Sequence, residues 1–462
     1  MAEKFNVVVI GSGPGGYAAA IRCAQKGVSV ALVEKGDMGG TCLNRGCIPS
    51  KALLGSAHFL TIAKHANLMG VDIAEAAPNW AKMQARKESI VAGFRKGVTG
   101  LVQSNKIKIF AGKGIVPKAG FVEVHSSDGK VEIAAGKIIL ATGSEAVEIG
   151  AFKFDGQKII SSTEALSLDA IPESMVIIGG GVIGCELGCV YATVGTKITI
   201  VEALPQILPF EDEWVGQTMA KELKKLGIDV LTGQKVTGVD TSGSGAKVSL
   251  ESGSAIEAAK VLVCVGRKAV CDKETVESLG LKMNRSAIVV NDKMETSVAG
   301  VYAIGDAVAT TYLAHGAFAE AEIAAENACG GNEKMYEYSL VPRAVYTFPE
   351  VASVGKNERK CKEMGIDVVV GKAFFRSNGR SVAHNESVGE VRVIRNKADN
   401  KIMGVTMLGA AVTEMIATAR ALLGSDEKII DVCFAHPTVS EVLKEAWEDA
   451  FGISIHVPPT AK

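Results

Sequence analysis

The stretch VVVIGSGPGG, from Val7 to Gly16, combines an apolar strand, a glycine-rich turn and the start of a helix. Such glycines allow a tight turn and close approach of the backbone to a ligand, and the N-terminus of the helix offers free N–H groups and partial positive charge to a pyrophosphate. A second stretch, MVIIGGGVIG from Met175 to Gly184, repeats this order. One such turn is weak evidence, but two with the same context predict two dinucleotide-binding folds.

A glutamate ends the strand that follows each turn, 18 residues after the last glycine in both copies. These residues are Glu34, after Gly16, and Glu202, after Gly184. A carboxylate at this position suits the ribose hydroxyls of a dinucleotide and would repel the additional phosphate of NADP. The alternative is that both turns are structural and both glutamates are exposed surface residues.

The chain has 462 residues, enough for about three domains of roughly 150 residues. Hydrophobic residues make up 47% and charged residues 22%, which favours packed cores over extended disorder. The 50 Lys and Arg residues nearly balance the 51 Asp and Glu residues and form no basic stripe, so nucleic acid is not expected as a partner. No apolar run reaches the roughly 18 residues of a membrane span, and no signal or transit peptide is visible before the first strand, so we expect a cytoplasmic protein.

Between and after the two turns, the pattern predicts further helices and strands. A long amphipathic helix is expected from Trp80 to Asn105, followed by short strands between Ile107 and Ile133 and one more from Lys137 to Leu140. From Val341 the pattern changes and indicates a further domain. Its expected strands are Glu390 to Arg395 and Lys401 to Leu408, and its expected helices are Ala411 to Leu423 and Val439 to Ala450.

The segment GGTCLNRGCIPSK, from Gly39 to Lys51, contains a closely spaced pair of cysteines. In a regular helix, Cα atoms five residues apart are separated by roughly 8 to 9 Å, beyond the limit of roughly 7 Å for a disulfide. A bridge between Cys42 and Cys47 therefore requires the backbone to depart from a regular helix. Gly46 permits this departure, and Pro49 suits the first turn of the helix that follows.

Closing so short a loop would stabilise the fold by only about 2 kcal/mol, so redox cycling is a better reason for this bridge than stability. A helix N-terminus lowers the pKa of a thiol and supplies the thiolate that disulfide exchange needs. The alternatives are a metal site, which lacks a second Cys/His pair nearby, and two free core cysteines. A redox pair must touch the cofactor that accepts its electrons, so the first glycine turn is expected to hold a flavin.

Ten cysteines in a chain of this length is ordinary usage and suits a reducing cytoplasm. Cys23, Cys264 and Cys329 are expected to lie singly in apolar surroundings. Cys185 and Cys189, four residues apart on the helix after the second turn, are expected to be core residues because they have no partner ligands.

With these features, the chain resembles the pyridine nucleotide-disulfide oxidoreductases over essentially its whole length. The resemblance implies an α/β fold with two Rossmann-like dinucleotide-binding domains, for FAD and NAD, and a C-terminal α+β dimerisation domain. The further motifs that carry it are ATG at 141–143, GVYAIGD at 300–306, YTFPE at 346–350 and HPTVSE at 436–441. The implied divisions are 1–145 and 271–335 for the two parts of the FAD-binding domain, 146–270 for the NAD-binding domain and 336–462 for the dimerisation domain.

The resemblance also assigns roles to the residues of the redox centre. Cys47 would lie against the flavin and Cys42 would exchange with the substrate. Lys51 and Glu186 match a family ion pair beside the flavin, where the lysine would stabilise negative charge on the reduced ring. Taken alone, Lys51 would be a surface helix lysine.

His436 is the candidate acid/base, with Glu441 orienting its ring. An alternative is that Thr438 and Glu441 form a capping box at the start of a helix, and both roles are compatible. In the family, the histidine comes from the partner subunit of a homodimer.

The implied activity is oxidation of a dihydrolipoyl group, on a carrier protein of a 2-oxo acid dehydrogenase complex or of the glycine cleavage system, with transfer of its electrons to NAD. No metal is expected. The implied FAD-binding residues are Gly11, Gly13, Gly16, Glu34, Lys51, Gly114, Thr142, Gly143, Asp306 and Ala314, and the implied NAD-binding residues are Gly179, Gly181, Gly184, Glu202 and Gly266.

Three positions depart from the family pattern. Phe434 stands where a second histidine is common, and Arg45 where an aliphatic residue is common. After Gly266 and Arg267, Lys268 with Ala269 replaces the usual Arg-Pro pair. The NADP-dependent disulfide reductases of this family are disfavoured because no arginine cluster follows Glu202, and mercuric reductases because no cysteine pair lies near the C-terminus. A flavin-binding structural subunit without catalysis remains an alternative of a different class, and intact cysteines and histidine argue against it.

Overall fold

The computed structural model describes residues 2–423 and 429–458. These residues form two compact units, each assembled from segments that are distant in sequence. The first unit contains residues 2–52, 84–147 and 266–338, and the second contains 53–83, 148–265, 339–423 and 429–458. The division into three domains expected from the sequence, with the FAD-binding domain in two parts, stays a prediction.

The strands of the first two thirds of the chain form both parallel and antiparallel pairs, and the sheet that follows is antiparallel. In chain order they are β1 Glu3–Ile10, β2 Val30–Glu34, β3 Lys108–Ala111, β4 Lys113–Lys118, β5 Phe121–Ser126, β6 Gly129–Leu140, β7 Ser144–Ala146, β8 Ile159–Ile160, β9 Ser174–Ile178, β10 Lys197–Glu202, β11 Ile228–Thr232, β12 Val236–Asp240, β13 Ala246–Leu250, β14 Ala255–Ala258, β15 Lys260–Val263, β16 Arg267–Ala269, β17 Met283–Asn284, β18 Ala287–Ile288, β19 Val301–Ala303, β20 Arg343–Val345, β21 Glu350–Gly355, β22 Val368–Phe374, β23 Glu390–Asn396 and β24 Ile402–Gly409.

The α-helices are interspersed with short 3₁₀ turns. They are α1 Pro14–Gln25, α2 Gly40–Arg45, α3 Cys47–Lys64, α4 Trp80–Ser104, α5 Ser162–Ala165, α6 Val182–Val194, α7 Glu213–Lys225, α8 Lys273–Leu279, α9 Ala314–Ala328, α10 Glu358–Glu363, α11 Gly379–Ala383, α12 Val412–Leu423 and α13 Glu441–Ala450.

The first unit is built on a sheet in the order β3-β2-β1-β6-β5-β4, with β19 also paired to β6. The pairs β1–β2, β1–β6, β2–β3 and β6–β19 are parallel. Alternate residues of β1 enter two different cores, since Val7 and Val9 pack toward α1 and α9 while Val8 and Ile10 pack on the opposite face. Burial on both faces explains why the strand is a continuous apolar run.

The second unit contains the second glycine turn, on a parallel sheet in the order β11-β10-β9-β15-β8. Met175 and Ile177 of β9 pack toward α6, and Val176 and Ile178 pack toward the antiparallel sheet β12-β13-β14. Residues 343–409 add the antiparallel sheet β20-β21-β24-β23-β22, whose core includes residues of α12 and α13. The expected fold class, with two nucleotide folds and a C-terminal α+β part, is therefore confirmed.

Three local expectations need correction. The segment from Lys137 to Leu140 is the end of the long strand β6, because this strand continues through the antiparallel hairpin with β5 into the parallel part of the sheet. The last helix begins at Glu441, two residues after the expected start. Cys23 and Cys329 do not lie singly, since their thiols are close enough, between α1 and the end of α9, for each to shift the pKa of the other. Among the described residues, no helix has the length and apolar character to cross a membrane.

Candidate active site

The first glycine turn leaves no room for side chains at its two ends. Gly11 has φ +101°, and a Cβ there would lie 2.2 Å from the carbonyl oxygen of Ala141. A Cβ on Gly16 would lie 1.9 Å from the carbonyl oxygen of Gly11, so α1 packs directly against the turn. The space beside Gly13 is open, with no atom within 4 Å of its ideal Cβ position. This open backbone at a helix N-terminus fits a pyrophosphate.

The second turn repeats this geometry position by position. Gly179 has φ +109°, and its Cβ would meet the carbonyl oxygen of Cys264 at 2.5 Å. A Cβ placed on Gly184 would lie 2.1 Å from the carbonyl oxygen of Gly179, while the space beside Gly181 is open. The second unit therefore contains a second cradle of the same shape, at the N-terminus of α6.

The glutamate after each turn binds the turn itself. Glu34 accepts a hydrogen bond from the N–H of Ser12 at 2.7 Å, and Glu202 accepts one from the N–H of Gly180 at 2.7 Å. The other carboxylate oxygen of each accepts the N–H two residues further along the chain, at 2.7 Å and 2.8 Å respectively. Since a carboxylate oxygen has two acceptor positions, both glutamates can still accept from ribose hydroxyls.

The helical backbone of the redox segment is interrupted at Gly46, as a disulfide between cysteines five residues apart requires. Cys42 lies within α2 and Cys47 is the first residue of α3, and between them Gly46 has φ −148° and ψ −110°, far from helical values. This break brings the two Cα atoms to 4.7 Å, and the two cysteines form a disulfide. The alternative of two free core cysteines is therefore wrong.

The start of α2 is fixed against the first glycine turn. The N–H of Gly39 donates to the carbonyl oxygen of Ser12 at 3.1 Å. A Cβ on Gly40 would lie 2.6 Å from the Cα of Gly13, so only glycine allows this approach. The disulfide-bearing helix thus begins at the turn that fits the first pyrophosphate.

Asn44, between the two cysteines, ties the redox segment to α4. Its amide donates to the carbonyl oxygens of Met38 at 3.0 Å and Gly40 at 2.9 Å. The Nε of Arg95 on α4 donates to its side-chain oxygen at 2.9 Å. The sequence did not single out this contact, because it joins residues 51 positions apart.

Asp306 belongs to a polar cluster at the carboxyl edge of the first sheet. Its carboxylate accepts a hydrogen bond from the hydroxyl of Ser144, and the Nε of Arg267 lies 3.8 Å from the same oxygen. Arg267 also donates to Ser144, from Nε to the hydroxyl at 2.7 Å and from Nη2 to the carbonyl oxygen at 2.8 Å. Burial lowers the pKa of Arg267, and Asp306 opposes that shift. Ser144 was missed as a candidate although it directly follows the ATG motif.

The remaining candidates for the first cofactor surround this edge. Thr142 donates its hydroxyl to the carbonyl oxygen of Val270 at 2.5 Å, and Gly143 has φ +79°. An ideal Cβ on Gly114 would lie 2.9 Å from the side chain of Ile10, so this glycine packs against the end of β1. Ala314 is the first residue of α9. Gly266, expected to contact NAD, lies in the first unit with φ +125°.

Glu186 is buried in α6 of the second unit, with 4% of its surface exposed. Its Oε1 accepts the backbone N–H of Tyr346 at 3.0 Å, which places the YTFPE motif beside it. Lys51 belongs to the first unit, and its pairing with Glu186 stays a prediction. On the same helix, Cys185 and Cys189 are fully buried, and burial raises the pKa of Cys189 to about 12. These two thiols are core residues, as expected.

His436 and Glu441 are brought together in the second unit. The Nδ1 of His436 lies 3.0 Å from Oε1 of Glu441, whose Oε2 accepts the N–H of Thr438 at 2.8 Å. Burial alone would raise the pKa of Glu441, but the hydrogen bonds from Thr438 and His436 lower it. The hydroxyl of Thr438 donates to the carbonyl oxygen of Ala435, so only half of the expected capping box forms. The Glu441 carboxylate therefore orients the ring of His436 with one oxygen and accepts the backbone N–H of Thr438 with the other.

Comparison with known families agrees with this geometry. The family described as pyridine nucleotide-disulphide oxidoreductase matches residues 5–325. Its dimerisation domain matches residues 341–447. The chain belongs to this family.

Among curated relatives, the dihydrolipoyl dehydrogenase of Geobacillus stearothermophilus is 40% identical over 99% of this chain and 98% of its own length. A dihydrolipoyl dehydrogenase of Bacillus subtilis is 38% identical over 98% of this chain and 100% of its own length. The leghemoglobin reductase of Glycine max is 40% identical over 96% of this chain and 87% of its own length.

Solved structures of the same fold include LpdA from Mycobacterium tuberculosis, with a TM-score of 0.90 and 22% identity over 97% of this chain and 99% of that chain. The HOCl-induced flavoprotein disulfide reductase RclA from Escherichia coli, solved as a Cu(II) complex, has a TM-score of 0.86 and 26% identity over 96% of this chain and 99% of that chain. The first likeness concerns the fold alone.

Proposed function

We propose that this protein is a dihydrolipoyl dehydrogenase, which oxidises protein-bound dihydrolipoyl groups to lipoyl groups and reduces NAD to NADH. The observation that carries the proposal is the Cys42–Cys47 disulfide, held on α2 and α3 against the first dinucleotide turn. A disulfide beside a flavin site, in a chain with a second dinucleotide turn, suits transfer of two electrons between a dithiol and a nicotinamide.

In each step of the proposed thiol–disulfide exchange, one S–S bond forms as another breaks. One thiolate of the substrate attacks Cys42, the Cys42–Cys47 bond breaks, and Cys47 leaves as a thiolate. The second substrate thiolate then attacks the substrate sulfur of the mixed disulfide, which releases Cys42 and the oxidised lipoyl ring. FAD, which the turn at 11–16 would hold, would supply the two-electron chemistry that links the reduced Cys42–Cys47 pair to NAD. Overall, a dithiol and NAD would give a disulfide, NADH and one proton.

His436 takes the proton of the attacking thiol, and Glu441 keeps its ring in the orientation that leaves Nε2 available. The side chain of His436 is 80% exposed in the single chain, which suits a group that works against the disulfide of a second copy. We therefore propose a homodimer in which the segment 341–447, matched by the dimerisation domain, presents this histidine to its partner.

The remaining candidates hold the cofactors. In this proposal the turn at 11–16, with Glu34 and the cluster around Asp306, holds FAD together with Gly114, Thr142, Gly143 and Ala314. The turn at 179–184, with Glu202 and Gly266, holds NAD, and Lys51 with Glu186 stabilises charge near the flavin. The three domains, with the FAD-binding domain in two parts, keep the boundaries expected from the sequence, and the enzyme works in the cytoplasm on a lipoyl-bearing carrier protein.

Steady-state kinetics test this function. The purified protein, loaded with FAD, should reduce NAD with dihydrolipoamide as the electron donor, and the reverse reaction should proceed with lipoamide and NADH. Cys42→Ser should abolish both, while Cys433→Ser, at an exposed free cysteine, serves as the matched control and should keep both. Turnover of glutathione disulfide with NADPH, without activity on lipoamide, would contradict the proposal.

A further inference from the structure

A buried carboxylate, Glu320, lies beneath the loop that joins two of the proposed FAD contacts. It lies on α9, whose other core residues are alanines such as Ala317, Ala321 and Ala324, and it has 0% exposure. A charged group taken out of water is unfavourable unless hydrogen bonds replace its hydration. The carboxylate of Glu320 has three such bonds, and they converge from three parts of the chain.

One of these bonds comes from the residue just before Asp306, and another comes from the loop between Asp306 and Ala314. The N–H of Gly305 donates to Oε2 of Glu320 at 2.6 Å, and the hydroxyl of Thr310 donates to Oε1 at 2.6 Å. The third comes from the hydroxyl of Tyr338, at 2.8 Å from Oε1. Burial raises the pKa of Glu320, and these three hydrogen bonds oppose the rise.

The loop needs such support because its backbone is strained. Ala309 has φ +55° and Tyr312 has φ +54°, whereas the φ of +66° at Gly305 is ordinary for a glycine. Non-glycine residues in the left-handed region persist only where surrounding contacts hold them. Glu320 binds the loop just before Asp306 and again in its middle, at Thr310.

We propose that Glu320 is a positioning residue for FAD: it holds the loop from Gly305 to Thr310 in the conformation that lets Asp306 and the start of α9 meet the cofactor. The inference rests on the proposed function, because it assumes that this edge of the first unit binds FAD. Glu320 does not touch FAD in this account, and its effect reaches the cofactor through Gly305 and Thr310.

The test measures FAD binding to apoprotein by flavin fluorescence, together with the rise in Tm on adding FAD. Glu320→Leu removes the acceptor of Gly305 and should weaken FAD binding about 10- to 100-fold and shrink the rise in Tm. Glu320→Gln can still accept from Gly305 through its amide oxygen, so it should recover most of the affinity. Glu322→Gln, at an exposed position of the same helix, is the matched control and should bind FAD as the unmodified protein does.

A second variant keeps the test decisive if Glu320→Leu does not fold. Thr310→Val retains the carboxylate and removes one tie to the loop, and it should weaken FAD binding severalfold without lowering the Tm of the apoprotein. The inference would be overturned if both Thr310→Val and Glu320→Leu bound FAD with normal affinity. It would also be overturned if the variants lowered the Tm of the apoprotein but left the FAD affinity unchanged. Failure of the unmodified protein to bind FAD would instead overturn the proposed function.

Discussion

The two cysteines occupy different backbone positions, and this difference fits different chemical roles. Cys47 is the first residue of α3, at the positive end of an 18-residue helix whose dipole favours a thiolate, whereas Cys42 is the third residue of the six-residue helix α2. A thiolate that persists at Cys47 is well placed to remain beside the flavin. In the proposed mechanism, Cys42 is then the sulfur that exchanges with substrate.

Single serine variants separate these roles. We predict that Cys42→Ser leaves Cys47 as a thiolate next to oxidised flavin and produces a long-wavelength charge-transfer band in the absorption spectrum. Cys47→Ser should produce no such band, although both variants should lose essentially all activity with dihydrolipoamide. Interchanged spectra would mean that the roles are reversed.

Glu202 should determine the choice between NAD and NADP. Its carboxylate is mostly buried and would face the 2′-phosphate of NADP, where like charges repel strongly. We predict that Glu202→Gln lowers the ratio of kcat/KM for NAD to that for NADP by about 10-fold or more, through loss of this repulsion. Glu34→Gln, the same change in the first fold, should leave the ratio unaltered, and an unaltered ratio in Glu202→Gln would refute the assignment.

At the scale of secondary structure elements, α13 carries Glu445 one turn beyond Glu441, and this second glutamate pairs with His456 in the segment that follows the helix. His456 Nδ1 lies 2.6 Å from Oε1 of Glu445, and Ser454 donates to the other carboxylate oxygen at 2.8 Å. The hydrogen bond and charge of Glu445 raise the pKa of His456. The segment after α13 is thereby attached to the helix that orients His436.

The sign of this shift gives a pH dependence. A histidine whose pKa rises on folding stabilises the contact fully below its ordinary pKa, and the stabilisation is lost as the pH rises through the raised value. We predict that an NMR titration finds His456 titrating above its ordinary value and that Glu445→Gln returns it there. Glu448→Gln, which removes a nearby charge but no hydrogen bond to His456, should have a much smaller effect. An unshifted His456 in the unmodified protein would disprove the pairing.

Local sequence was sufficient for elements whose pattern reflects their own backbone. The two strand–turn–helix units, the helix from Trp80 and the break at Gly46 all follow from residue type and spacing. It was insufficient where partners come from distant segments. The pair Cys23 and Cys329 and the cluster of Ser144 with Asp306 join residues over 150 positions apart, which no periodicity encodes.

Glu320 is an intermediate case, because part of its environment can be deduced from the sequence. The helix sequence AHGAFAEAEIAAENA places position 320 on the same face as the buried alanines at 317, 321 and 324. An acid on that face signals a buried hydrogen-bond network. Only the structure identifies its donors, Gly305, Thr310 and Tyr338.

At the scale of the whole molecule, the proposed active site needs two chains. We predict that mixing an inactive Cys47→Ser chain with an inactive His436→Ala chain restores activity, because one of the two sites in the heterodimer then has both groups intact. About a quarter of the activity of the unmodified protein is expected at full random exchange, since half of the dimers would be mixed and each would hold one competent site. Mass spectrometry should first demonstrate that the subunits have exchanged. If no activity then returns, His436 works with the disulfide of its own chain.

In the proposed reaction, electrons pass from a dithiol through the Cys42–Cys47 pair and FAD to NAD. Anaerobic titration of the FAD-loaded protein tests it most directly, with dihydrolipoamide added first and NAD second while the flavin absorbance is followed. Dihydrolipoamide should change the flavin spectrum at about one equivalent per chain, and NAD should then restore the oxidised spectrum with formation of NADH. A flavin spectrum that does not respond to dihydrolipoamide, or a reduced protein that NAD cannot reoxidise, would contradict the account.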